Sequence, residues 1–71
     1  MKVGDRVTWK NPVSDGEATE RYQVVEGPYA SVDGSRLRVR VMFLGTVGKP
    51  CTMSIVPTGI YLVEDLKVVE D

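Results

Sequence analysis

Residues Arg36-Leu37-Arg38-Val39-Arg40-Val41-Met42-Phe43 alternate between basic and apolar side chains, apart from Met42 at the last even position. Successive side chains of a strand point to opposite faces, so a period of two assigns each residue to a side. Leu37, Val39, Val41 and Phe43 therefore share an inward face, and Arg36, Arg38 and Arg40 form a ladder on the other. Two residues at the strand rise put neighbouring guanidinium groups ~6.7 Å apart. A helix would scatter both sets around its circumference, so the segment predicts a central strand, greasy on one side and cationic on the other.

The remaining sequence reads as further short strands punctuated by turns. Asp5 to Lys10 places Val7 and Trp9 on one face and Arg6, Thr8 and Lys10 on the other. Asn11-Pro12 ends it, because proline lacks a ladder donor and asparagine favours turns. Residues 13–19 have no periodicity and read as a mobile loop. Glu20 to Glu26 is the second strand, with Tyr22 and Val24 opposite Arg21, Gln23 and Val25; Gly27-Pro28 breaks or bulges it. Asp33-Gly34 is the strongest hairpin signal. With those two at the centre of the turn, Val32 pairs with Ser35, Ser31 with Arg36, Ala30 with Leu37, and Tyr29 with Arg38. Gly45 to Pro50 is a turn, Cys51 to Val56 a fourth strand, and Pro57-Thr58-Gly59 a break. Ile60 to Val63 is apolar on both faces, Glu64-Asp65-Leu66 a short helical turn, and Lys67-Val68-Val69 the last strand. Many short strands with Gly/Pro turns indicate a sandwich or barrel. At 71 residues the expectation is a single domain, 1–71: an all-β, five-stranded, strongly bent antiparallel small barrel. Closure would hide its strand edges.

A domain of this size buries only about 60% of the surface its unfolded chain exposes, and its core supplies ~3–5 kcal/mol of net stability. Cys51 is the single cysteine and histidine is absent, so neither an internal disulfide nor a structural zinc site is available. Close packing or self-association must serve instead. Nine basic and ten acidic residues leave a formal charge of −1, so any attraction to nucleic acid comes from local clustering. No apolar run approaches a membrane span, and Met1 to Asp5 has no apolar leader region. A cytoplasmic location, without membrane partners, is the expectation, in keeping with an unpaired thiol.

The opening Val3-Gly4-Asp5-Arg6-Val7-Thr8-Trp9 and the ending Val63-Glu64-Asp65-Leu66-Lys67-Val68-Val69 resemble the two ends of SH3-like small barrels. In those folds a G-D-x-V phrase starts the first strand and a short turn before the last strand closes the barrel. The resemblance implies a fold shared by ribosomal, transcriptional, photosynthetic and Tudor-type modules, and so no single function. The chain also resembles the plasmid-borne, trimethoprim-resistant dihydrofolate reductases, very short SH3-like chains that assemble as tetramers around a shared pore. Their start is similar to Gly4-Asp5-Arg6-Val7, and their V-Q-I-Y-P pore strand to Met53-Ser54-Ile55-Val56-Pro57. Ile55 and Pro57 match that phrase. Ser54 and Val56 stand where the family has its ligand-contacting glutamine and tyrosine.

Arginine offers a planar fork of donors suited to phosphate, and aromatic rings add stacking. Arg36, Arg38 and Arg40, with Tyr29 and Trp9, are therefore candidate contacts for a protein or nucleic-acid partner. The plainer reading pairs the arginines with Glu20 or Glu26 on a neighbouring strand, each exposed pair contributing ~0–1 kcal/mol. Trp9 suits the core or the edge of a groove for extended peptides. Met42, Leu44, Val56, Ile60 and Tyr61 exceed what one small barrel buries and suggest a homo-oligomer, the segment Met53 to Val63 carrying the contact. Catalysis is not expected. There is no histidine base for Cys51, Glu64 and Asp65 are adjacent on a turn, and no Gly-rich phosphate loop occurs. Asp15-Gly16-Glu17 falls short of a calcium loop, so neither metal nor cofactor is expected.

Overall fold

A computed structural model describes residues 1–50, 52 and 55–70. Among these, the strands are Arg6–Trp9 (β1), Glu20–Ala30 (β2), Leu37–Thr46 (β3), Lys49–Pro50 (β4), Thr58–Leu62 (β5) and Leu66–Val68 (β6). A one-turn helix, Asp15–Thr19 (α1), precedes β2, and a 3-10 turn, Val63–Asp65, precedes β6. All strands join one antiparallel sheet in the order β4-β3-β2-β1-β6, with β5 beside β3. The all-β expectation holds. Among the described residues the count is six strands rather than five, and β5 and β6 do not pair, so the sheet is not closed.

The alternating segment lies at the centre, as β3, paired with β2 along one edge and with β4 and β5 along the other. Its inward residues Val39 and Val41 are fully buried, and with Val7, Val24 and Leu66 they make the core. Leu37 projects past that core and is 48% exposed. Tyr29 does pair with Arg38, and Ala30 with Leu37. The ladder is irregular around Gly27, whose φ of 100° suits glycine, and the Gly27–Pro28 peptide is cis.

Several local expectations are corrected. The turn at Asp33-Gly34 is longer than two residues: Ser31 N donates to Arg36 O at 2.8 Å, and Gly34 N donates to Ser31 O at 2.8 Å. Asp33 organises it, accepting from the Ser31 hydroxyl (2.6 Å), the Ser35 N–H (3.0 Å) and the Ser35 hydroxyl (2.7 Å). Those three bonds hold the carboxyl well below its usual range, the Ser31 bond contributing most. The 13–19 stretch is not simply a loop, since α1 forms from Ser14, whose Oγ accepts from Glu17 N at 3.2 Å. That turn lies against β1 and explains why outward Thr8 is only 3% exposed. Thr8 donates to Glu20 O at 2.7 Å, satisfying its buried hydroxyl.

The expected fourth strand is also displaced. Thr52, Ile55 and Val56 are not in a strand, and Cys51, Met53 and Ser54 lie outside the described residues. The pairing falls later, on Thr58–Leu62, so Thr58 and Gly59 continue a strand instead of breaking one. Nor is Gly45 to Pro50 wholly a turn: Lys49 and Pro50 return to pair with Thr46 and Gly45. The 3-10 turn begins one residue before the expected helical turn and swings the chain from β5 to the far side of β1. Lys10 N donates to Asp65 O at 2.9 Å, fixing that crossing.

Candidate functional site

The structure separates Trp9 from the arginine ladder. Arg38 sits between Tyr29 of β2 and Leu62 of β5, and Arg40 between Glu26 and Ile60. The ladder is partly neutralised. Arg36 Nη1 is 3.5 Å from Glu64 Oε1, and Arg40 Nε is 3.5 Å from Glu26 Oε1. The second contact is an ion pair without hydrogen-bond geometry, leaving the buried Arg40 Nε–H without an acceptor among the described residues. Glu26 also accepts from the Tyr29 hydroxyl, and that bond raises the phenol's pKa. The plainer reading of the arginines thus holds for Arg40 and Glu26. Glu20 is engaged elsewhere, and Arg38 has no ion-pair partner among the described residues.

Trp9 belongs to an aromatic cluster. Its ring meets Tyr61 edge-on (centroids 4.9 Å apart) and Tyr22 edge-on (5.7 Å). Tyr22 in turn meets Phe43 at 5.4 Å and Tyr61 at 6.2 Å, so four of the chain's five aromatic residues converge. Edge-to-face pairs contribute ~0.5–1.5 kcal/mol beyond buried area. The strands explain the meeting. Val7 pairs with Tyr22 and Tyr22 with Phe43, which brings three inward-facing positions into one row, and Tyr61 stands inward beside Val39.

Glu20 ties the cluster together. Its Oε2 accepts from Trp9 Nε1 at 3.1 Å and from the Tyr22 hydroxyl at 2.5 Å. Burial, followed by the bond to Glu20, pushes the Tyr22 phenol well above its ordinary pKa. Beside the cluster opens a cleft of about 270 Å³, bounded by Glu20, Tyr22, Phe43, Pro57, Gly59 and Tyr61. At Gly59 the Tyr61 ring packs directly over the backbone, because a Cβ there would lie 2.7–2.9 Å from its ring and hydroxyl.

No family model, curated protein or solved structure gives a significant match to this chain.

The five apolar candidates for self-association do not form one patch. Met42 and Ile60 share the outer sheet face with Arg38 and Arg40, Ile60 being 49% exposed. Leu44 lines a second open depression of about 400 Å³ with Arg6 and Arg21, and Arg21 is bound to Thr8 Oγ1 and to the carbonyls of Ala18 and Glu20. Val56 precedes β5, and Tyr61 lies in the aromatic cluster. Sequence reasoning missed Glu20, Tyr22, Phe43, Pro57 and Gly59 as site residues. Tyr22 and Trp9 each had the phase of a buried valine, but joining them required the β1–β2 register. Among the described residues, no cluster of metal-ligating side chains occurs, and no helix is long and apolar enough to cross a membrane.

Proposed function

We propose that this chain is a small, non-catalytic, SH3-like binding module of the cytoplasm that grips a short extended segment of a protein partner. One observation carries the reading: four aromatic side chains converge around Glu20 at the side of an open cleft. Aromatic walls give large contact area at little conformational cost, and grooves so lined suit extended peptides. Support for SH3-like architecture comes from the antiparallel meander through β1, β2, β3 and β5 and the 3-10 turn before β6. Screening a displayed library of short peptides, followed by fluorescence titration of Trp9 with the selected sequences, tests this reading. Selected peptides should perturb Trp9, and Tyr61→Ala should abolish the response while Arg38→Glu leaves it intact. Selection of peptides that respond to Arg38→Glu alone would overturn it.

A second reading rests on the outer sheet face, where Leu62 pairs with Arg38, the rung without an ion-pair partner among the described residues, and Ile60 and Met42 follow at the next rungs. There the chain would meet a second copy of itself or an anionic partner. Light scattering at high micromolar concentration separates those outcomes, since only self-association raises the mass of the protein alone.

A further inference from the structure

We propose that the aromatic cleft accepts a cationic alkyl side chain, the ammonium or guanidinium end of a lysine or arginine on the partner, with Glu20 as its counter-ion. The inference rests on the peptide-binding reading and names the group that is read. Charge complementarity selects the occupant. Among the described residues, Glu20 is the only charged residue at the cleft wall; Tyr22, Phe43 and Tyr61 supply rings and Thr58 a neutral hydroxyl. Aromatic faces carry negative potential and attract cations within about 6 Å of a ring centroid.

The hydrogen bonds of Glu20 sharpen the case. Among the described residues, both donors, Trp9 Nε1 and the Tyr22 hydroxyl, fall on Oε2, which orients the carboxylate and leaves Oε1 as an open acceptor. A neutral apolar occupant would cover that oxygen without satisfying it, and an anion would be repelled. An ammonium or guanidinium N–H satisfies it while the alkyl stem lies on the rings, as long basic side chains do elsewhere. Gly59 fixes the place of one wall, since the Tyr61 ring occupies the space that a Cβ there would take.

The experiment titrates the isotopically labelled full chain with n-butylammonium, n-butylguanidinium, n-butanol and butyrate, following the Trp9 indole N–H by nuclear magnetic resonance. The two cations should give saturable shifts at Trp9, and n-butanol and butyrate should bind about tenfold more weakly or not at all. Glu20→Gln keeps an oxygen for both donors and removes the charge, so the advantage of the cations over n-butanol should vanish while the spectrum remains folded. Gly59→Ala, which displaces the outer end of the Tyr61 ring, should weaken cation binding by a separate route. Equal binding of n-butanol and n-butylammonium would overturn the cationic occupant yet leave a peptide groove intact. Silence of the indole towards all four compounds, together with selected peptides that bind regardless of their charge, would overturn it too. Only failure to select any peptide that perturbs Trp9 would remove the peptide-binding reading itself.

Discussion

Glu20 shows how one carboxylate can serve structure and recognition together. Its Oε2 holds the indole of Trp9 and the phenol of Tyr22, two groups that would otherwise compete for water at the edge of the core. Tyr22→Phe removes one of these bonds and should cost about 1 kcal/mol, measured by urea unfolding followed through Trp9 fluorescence. The same variant has a pH signature. The folded-state pKa of Tyr22 is raised, so the protonated phenol is favoured in the native protein. That contribution is full below the unfolded value of about 10 and is lost as pH rises through the folded value. Wild type should therefore lose stability in strong alkali more steeply than Tyr22→Phe. Indistinguishable alkaline profiles would mean that burial and the bond to Glu20 do not together favour the protonated phenol.

At the scale of elements, the β2–β3 hairpin depends on one backbone position and one side chain. A Cβ at Gly27 would meet Arg38 O at 3.0 Å and the Val39 Cα at 3.3 Å, and its φ of 100° is unfavourable for other residues. Gly27→Ala should destabilise the fold by about 1–3 kcal/mol, seen as a lower thermal midpoint by circular dichroism. At the tip, the depressed pKa of Asp33 stabilises the hairpin above the unfolded value of about 3.9, an advantage lost as pH falls through the folded value. Acidification should loosen the Ser31–Arg36 pairing in wild type but not in Asp33→Asn, as read from the amide shifts of Ser35 and Arg36. The strand phases were legible in sequence because a period of two is local. The longer turn was not, because it depends on Asp33 bonding three groups at once. Ser14 and Glu17, with capping-box spacing, did carry a signal for α1 that the lack of apolar periodicity obscured.

At the scale of the whole molecule, the enclosed side chains among the described residues are few and small: Val7, Val24, Val39, Val41 and Leu66, with Thr8 the polar exception. Val39→Ala should cost about 2–3 kcal/mol, most of the ~3–5 kcal/mol such a core supplies. Val32, fully exposed at the hairpin tip, should tolerate serine within about 0.5 kcal/mol. Chemical denaturation of both variants measures the contrast. The four valines were readable from alternation, whereas the burial of Leu66 and Thr8 and the aromatic cleft were not. It is assembled from β1, β2, β3 and β5 by pairings between residues far apart in the chain, and local pattern carries no record of which strands become neighbours. The cleft and the valine interior therefore rest on largely different side chains. Gly59 lies at the meeting of the two, its missing methyl letting the Tyr61 ring pack directly over the backbone. Drift at that one codon would retune what the mouth admits, so lineages of this chain could diversify in appetite while their interiors stayed the same.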